Sequence, residues 1–211
     1  MYEEQIANIY RKCEVTHFPI DCFSVMERMG FCVKSFTELL SENPELTFLR
    51  NNSTDALTIT NSKETFYNDR KSRKRIRFTL MHELGHYVLK TKSETAADTF
   101  ASEILAPVCI VRQRRLRTAD EVCVHFDVSV SCANMVIARR NHSLQNPFDS
   151  LIVNYFTEVH QKRSERLSVR QEGKYKRYEL ADRKLRENHT EIEYWNIVLD
   201  RLENERYGTD Y

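Results

Sequence analysis

Five consecutive residues, His82-Glu83-Leu84-Gly85-His86, combine the side chains that a hydrolytic metal centre requires. In an α-helix, an offset of four residues turns a side chain by only about 40° and moves it one turn along the axis, so His82 and His86 project from one face. Their two imidazoles can therefore bind one metal ion. Glu83 lies about 100° further round, where its carboxylate could reach a water on that metal without being a ligand. The motif predicts two metal ligands and a general base.

A third ligand must come from further along the chain, because catalytic zinc sites normally have three protein ligands and one open position. Glu94 begins the next predicted helix, and Asp98 lies one turn further along the same face. We expect Glu94 to bind the metal and Asp98 to accept a hydrogen bond from a ligating imidazole.

Gly85 costs the motif helix about 1 kcal/mol, which indicates that another segment packs closely there, although a merely tolerated glycine is the alternative.

The elements that must position these residues are short. Apolar periodicity and turn residues predict helices at 4–12, 19–30, 72–90 and 94–105, and strands at 31–36, 56–60 and 65–67. After Pro107, an Arg-rich helical segment precedes a helix-turn-helix pattern between Thr118 and Arg140. These elements indicate an α+β fold with a small sheet before the motif helix.

The composition changes at about residue 150. Residues 151–211 contain 12 basic and 12 acidic side chains, and we expect them to form a charged, largely solvated helical extension of a main domain at 1–150. The last part of this extension has an apolar stripe that could dock on the main domain or on a partner. The stripe consists of Ile192, Trp195, Leu199 and Leu202.

Charge and hydropathy exclude several classes of protein. The net charge of +1 gives no global field for a polyanionic partner, so a role with nucleic acid requires a local patch. The apolar runs are far shorter than the roughly 20 residues of a membrane span, and the polar N-terminus does not look like a signal peptide. Six cysteines without a Cys-x-x-Cys pair are typical of reduced, buried thiols. We therefore expect a soluble cytoplasmic protein.

Two linked motifs carry a resemblance to a known family. They read Arg75-x-Arg77-Phe78-Thr79-x-x-His82-Glu83-Leu84-Gly85-His86 and Glu94-x-x-Ala97-Asp98-x-Phe100-Ala101-x-x-Ile104-Leu105-Ala106-Pro107. Together they resemble the ImmA/IrrE zinc metallo-endopeptidases, over roughly residues 17–140. That family usually has Asn where this chain has Asp98 and Met where it has Ala106. Neither difference removes a ligand.

The resemblance implies a zincin-like metallopeptidase domain with helix-turn-helix-like helices and a Zn²⁺ cofactor. It implies His82, His86 and Glu94 as ligands, and Glu83 as the general base that acts on a zinc-bound water. The implied substrate is a specific regulatory protein, typically a DNA-binding repressor, often within phage or other mobile elements. The residue that stabilises the oxyanion stays open, because no spacing argument distinguishes the candidates His125, His142 and Tyr155.

A non-catalytic function is the alternative. The protein could be a regulator or a toxin–antitoxin partner that binds a repressor or DNA through the basic run at 70–77 or through the helix-turn-helix-like segment. We favour a solvated face for the basic run and a packing role for the segment, whose second helix offers Ser131 and Asn134 but little charge before Arg139. Glu83 also argues against this alternative, because a structural site has no use for a base beside its metal.

Overall fold

The computed structural model describes residues 2–46, 55–142, 150–190, 193 and 196–199. The chain forms two compact units, Met1–Val159 and His160–Tyr211. The first unit extends beyond the predicted division after residue 150, because side chains at the start of the last described helix are buried in its core. These side chains are Ile152, Val153, Tyr155 and Phe156. The division into a peptidase domain and an extension stays a prediction.

The described part of the first unit is mostly helical, with a small sheet. Its helices are α1 (Glu3–Lys12), α2 (Cys22–Arg28), α3 (Phe36–Glu42), α4 (Arg73–Leu89), α5 (Glu94–Leu105), α6 (Val108–Gln113), α7 (Ala119–Phe126) and α8 (Val130–His142), and a 3-10 turn covers Pro44–Leu46. Its strands are β1 (Cys32–Ser35), β2 (Ala56–Ile59) and β3 (Glu64–Tyr67). Helix α9 (Leu151–Asn188) begins in the first unit and continues into the second. This composition agrees with the predicted α+β class.

The sheet has the order β1-β3-β2. Strand β1 runs parallel to β3, with Val33 opposite Thr65, and β2 runs antiparallel to β3, with Leu57 opposite Phe66. Phe66 is buried in a small cluster with residues of α3, while α4 packs against β2 and β3. Strand β2 is thus an edge of the sheet that the described strands form, and it lies beside the motif helix.

Helices α4 and α5 form the most extensive helix contact among the described elements, and they build the centre of the core. Leu80, Met81 and Leu84 of α4 are fully buried, as are Phe100 and Ile104 of α5. Both helices begin at serine N-caps, which accept hydrogen bonds from backbone N–H groups of the first turn. The Lys90–Ser93 segment joins them, and Lys90 ends α4 in the left-handed conformation. The two predicted helices are confirmed.

The predicted helix-turn-helix pattern is present as α7 and α8, whose axes meet at 116°. Thr118 and Glu121 form a capping box at the start of α7, and Asp127 ends it in the left-handed conformation. Helix α8 buries Cys132, Ala133 and Val136. Its Arg139 donates hydrogen bonds to the Thr99 carbonyl and the Ser102 hydroxyl of α5. The segment is therefore packed into the domain, as expected.

The strand predicted at 31–36 is present as β1, but it ends at Ser35, and a helix that was not predicted begins at Phe36. Ser35 accepts a hydrogen bond from the Glu38 backbone N–H, and the Glu38 carboxylate accepts one from the Ser35 backbone N–H. This capping box starts α3 directly at the end of the strand, because it satisfies two backbone donors of the first helical turn.

No single described helix has both the length and the apolar character of a membrane span. Only the bent pair α7 and α8 meets those criteria jointly. Helix α9 confirms the predicted helical character of the extension as far as Asn188. Of the predicted apolar stripe, Ile192, Trp195 and Leu202 lie outside the described residues, and Leu199 is exposed.

Candidate metal centre

The side chains of His82, His86 and Glu94 converge on one point. The two Nε2 atoms are 3.0 Å apart. The Glu94 carboxylate places Oε2 3.1 Å from Nε2 of His82 and Oε1 3.5 Å from Nε2 of His86. In the described part of the chain, these three residues form the group whose potential ligand atoms lie close enough to one another to hold a metal ion. The structure thus brings together the three residues that the sequence predicted as ligands.

The spacing of these atoms fits a tetrahedral zinc ion. Zn–N and Zn–O bonds of about 2.0–2.1 Å place two ligand atoms of a tetrahedron about 3.3–3.4 Å apart. The separation of the two Nε2 atoms, 3.0 Å, and that of His82 Nε2 from Glu94 Oε2, 3.1 Å, are close to this value, and one ligand atom from each residue lies within 4.8 Å of the others. Two imidazoles and one carboxylate are also a ligand set of catalytic zinc sites, which leave the fourth position open. The donor atoms and their spacing therefore suit Zn²⁺.

Hydrogen bonds behind the two imidazoles fix their orientation. Nδ1 of His82 donates to Oδ1 of Asp98 at 2.7 Å, and Nδ1 of His86 donates to the Thr91 carbonyl at 2.8 Å. A ring that carries its proton on Nδ1 has a free lone pair on Nε2, which can bind a metal ion. In both histidines, Nε2 is the ring atom that lies near Glu94. Asp98 occupies the position predicted for it. The Thr91 carbonyl was not predicted, because a backbone acceptor in a short loop has no side-chain signature.

Gly85 allows the two helices of the centre to approach. A Cβ atom at this position would lie 3.1 Å from Cδ1 of Phe100 and 3.3 Å from both Cα and O of Ala97. Ala97 lies between Glu94 and Asp98 on α5, so the contact holds both acidic residues against the face of α4 that carries the histidines. The prediction that another segment packs closely against Gly85 is confirmed.

An open cleft of about 280 Å³ borders the three converging side chains. Glu83 lines it, is partly exposed, and makes no hydrogen bond to any residue that the structure describes. Arg75 and Thr79 also line it, because positions 75, 79 and 83 are four residues apart and lie on one face of α4. Sequence reasoning missed these two residues, although that spacing could have identified them. The remaining lining residues are Asp55, Ala56, Phe78, His82, Glu94 and Asp98.

The three residues considered for oxyanion stabilisation do not line this cleft. His125 lies on α7, and His142 is the last residue of α8. The Tyr155 hydroxyl is buried and lies within hydrogen-bond distance of the backbone carbonyls of Tyr10 and Val15. Tyr155 therefore joins α9 to the core of the first unit. Arg75 and Thr79 line the cleft, carry side-chain hydrogen-bond donors, and are not among the three converging ligands.

Ion pairs hold most of the basic run at the start of α4. Arg75 and Lys71 pair with Asp55, and Arg77 pairs with Asp127 at 2.7 Å. Burial alone would raise the pKa of Asp55, but the hydrogen bonds from Arg75 and Lys71 hold it below its usual value. The expected solvated face is therefore wrong for Arg77, whose side chain is only 5% exposed. Arg73 and Lys74 also lie near Asp127, at 3.5 and 4.0 Å, but the Arg73 side chain is 81% exposed and fits that expectation.

Comparison with known proteins agrees with this geometry. Residues 43–137 match the family described as the IrrE N-terminal-like domain, of the peptidase M78 type, over slightly less than half of the chain. The matched range contains β2, β3, α4, α5 and the five predicted site residues. No curated protein matches the chain. Residues 43–137 are therefore similar to the metallopeptidase domain of the IrrE N-terminal-like kind, which confirms the resemblance of the two linked motifs to the ImmA/IrrE family.

Proposed function

We propose that the protein is a zinc-dependent endopeptidase of zincin-like architecture, which hydrolyses a peptide bond in a specific regulatory protein. The observation that carries this proposal is the convergence of the His82, His86 and Glu94 donor atoms beside Glu83 at an open cleft. A purely structural zinc site uses all four positions for protein ligands and needs neither a cleft nor a carboxylate beside it.

His82, His86 and Glu94 would hold the zinc ion, with Asp98 and the Thr91 carbonyl orienting the two rings. When bound, zinc supplies Lewis acidity, which polarises a peptide carbonyl and lowers the pKa of water. The side chain of Glu94 is 75% exposed, while those of His82 and His86 are 15% and 23% exposed. The ligand set is therefore largely buried on the α4 side and accessible at Glu94 of α5, where substrate would enter.

Glu83 is the proposed general base and acid. Its carboxylate lines the cleft and has no described partner that would hold it elsewhere. It takes one proton from the attacking water as the water oxygen bonds to the carbonyl carbon, and it delivers that proton to the amide nitrogen as the C–N bond breaks. The second proton of the water also passes to the leaving nitrogen, so the products are a carboxylate and a protonated amine, and Glu83 is ionised again.

The edge of the sheet offers a place for the substrate backbone. Ala56 begins β2 and lines the cleft, and β2 is an edge strand among the described strands. An extended peptide can add to such an edge through backbone hydrogen bonds. This would align the scissile bond along α4. Cleavage of an extended segment within a longer chain is the expected mode of an endopeptidase.

The substrate class rests on the family resemblance. We infer that a DNA-binding repressor is cleaved in the cytoplasm, as the ImmA/IrrE resemblance implies. No observation favours the non-catalytic alternative, because Asp55 and Asp127 pair with most cations of the basic run, and α8 packs on α5. A regulator or toxin–antitoxin partner without activity would leave Glu83 without a role.

Glu83→Gln tests the proposal. The variant should retain zinc, because Glu83 is not one of the converging donors, and should lose cleavage. Wild type and variant are each incubated with extract of the cells from which the protein comes, and new N-termini are identified by mass spectrometry. New termini should appear with wild type only and should lie in a repressor. Glu27→Gln, an exposed carboxylate on α2, is the matched control. Equal cleavage by Glu83→Gln contradicts the proposed chemistry.

A further inference from the structure

The charge of the second unit is unevenly distributed along the chain. Residues 160–190 contain ten Lys and Arg against five Asp and Glu, a net charge of +5. Residues 191–211 contain two basic against six acidic residues, a net charge of −4. The near-neutral total of the protein therefore conceals a strongly basic segment, and that segment is the part of α9 beyond the first unit.

The basic residues form a ridge along α9. Arg163, Arg170, Arg177 and Lys184 recur every seven residues. Seven residues fall only about 20° short of two full helical turns, so the four side chains project from nearly one side of the helix. Three further basic residues, Lys162, Arg166 and Lys174, lie within four residues of one of these positions in the sequence. At 1.5 Å per residue, the ridge from Arg163 to Lys184 is about 32 Å long. We call Arg163, Arg170, Arg177 and Lys184 the basic ridge.

Acidic residues occupy another side of the same helix. Glutamates also recur every seven residues, at Glu158, Glu165, Glu172 and Glu179. The last three each follow a residue of the basic ridge by two positions. Two positions correspond to about 200° around the axis, so this acidic series lies nearly opposite the ridge. The basic ridge and this acidic series therefore lie on opposite sides of α9, which gives the ridge side a positive field. Arg183, which pairs with Glu187, belongs to neither series.

No continuous apolar seam accompanies the ridge. The described side chains of α9 from His160 to Lys184 are exposed. Leu167 and Val169 are each more than half exposed, and their two-residue offset puts them on opposite sides of the helix. A coiled-coil partner requires apolar residues at alternating three- and four-residue spacing. The regular feature of this helix is charge, which favours an anionic partner over an apolar one.

We propose that the basic ridge of α9 binds the phosphate backbone of double-stranded DNA. The major groove of B-DNA admits an α-helix, whereas that of an RNA duplex is too narrow. B-DNA carries one negative charge per about 1.7 Å of its axis, so a helix that enters the major groove has phosphates of both strands within reach of its long basic side chains. Binding is driven by counterion release and is independent of base sequence. This function is separate from the peptidase centre.

Fluorescence anisotropy with a labelled duplex of arbitrary sequence, about 20 base pairs long, tests the proposal on the full chain. Four neutralised phosphates predict a slope of about −3.6 for log K against log salt, so the affinity falls roughly 150-fold between 50 and 200 mM KCl. The variant Arg163→Gln/Arg170→Gln/Arg177→Gln should reduce the slope to about −0.9, because one phosphate contact is left. Circular dichroism checks that the helix content is unchanged.

The matched control removes three exposed cations from the first unit. Lys12→Gln/Arg114→Gln/Arg117→Gln changes the net charge equally and should leave the slope within error of wild type. The proposal is overturned if wild type does not bind the duplex at 50 mM salt, or if the control weakens binding as much as the ridge variant. It is also overturned if polyglutamate of equal charge competes as well as unlabelled DNA, because the ridge would then be a site for acidic protein segments.

Discussion

Gly85→Ala is the substitution that most sharply separates local helix stability from the geometry of the metal centre. An alanine is the better helix former by about 1 kcal/mol, so in an isolated helix the change would stabilise α4. In the folded protein, the added methyl group would meet Phe100 at 3.1 Å and the Ala97 backbone at 3.3 Å. These contacts require α4 and α5 to separate by a few tenths of an ångström.

The magnitude follows from these opposing effects. Overpacking a tight contact costs about 1–3 kcal/mol, against which the gain in helix propensity is about 1 kcal/mol, so we expect a net destabilisation of about 0–2 kcal/mol. The effect on metal binding should be larger. Glu94 moves with α5, and metal–ligand distances tolerate only about 0.2 Å. We therefore expect zinc affinity to fall by roughly 10- to 100-fold, as when a supporting hydrogen bond of a site is lost.

Two measurements on each protein provide the assay, namely urea unfolding of the zinc-free form and competition for zinc with a chelating dye. Gly173→Ala is the matched control, because Gly173 lies in α9 with nothing within 4 Å of an added Cβ atom. It should stabilise its helix and leave zinc affinity unchanged. If Gly85→Ala binds zinc as tightly as wild type and is as stable as Gly173→Ala, the argument that Gly85 sets the distance between the two helices is refuted.

Three further predictions concern the same centre and its support. Asp98→Ala should weaken zinc binding by roughly 10- to 100-fold, whereas Asp98→Asn should lose less because an amide oxygen still accepts the imidazole N–H; competition with a chelating dye distinguishes them. Glu94→Ala should lose zinc on gel filtration, and Asp120→Ala, an exposed acid in the first turn of another helix, should retain it. Equal zinc contents would contradict the assignment of Glu94. Arg77→Ala should reduce the free energy of unfolding by about 3 kcal/mol because it leaves a partly buried carboxylate without its main partner, while Arg73→Ala should change it by less than about 0.5 kcal/mol. Urea unfolding compares the two, and a similar loss for both would contradict the role of burial.

The local geometry of the centre could be predicted from sequence because helical spacing determines it. The four-residue offset of His82 and His86 gives their common face, and the offset of Glu94 and Asp98 gives theirs. The caps Ser72 and Ser93 set the starts of the two helices. What joins the two faces is the approach of α4 to α5, which Gly85 indicated in advance. The roles of these residues in binding and catalysis stay predictions until they are measured.

Contacts between distant parts of the chain could not be predicted in this way. Asp55 and Asp127 are 20 and 50 residues from the arginines that they bind, and neither has a spacing relation to α4. The Thr91 carbonyl belongs to a short loop in which any residue supplies the same acceptor. Periodicity also failed at Ser35, where a strand becomes a helix without an intervening loop, because a capping box can start a helix within one residue.

X-ray absorption spectroscopy of the zinc-loaded protein tests the central claim most directly. The account predicts about one zinc per chain, with two imidazole nitrogens and carboxylate or water oxygens at about 2.0–2.1 Å and no sulfur ligand. Six cysteines offer the chain a different way to hold the metal. A sulfur shell at about 2.3 Å, or a spectrum that the His82→Ala substitution leaves unchanged, would contradict the proposed centre.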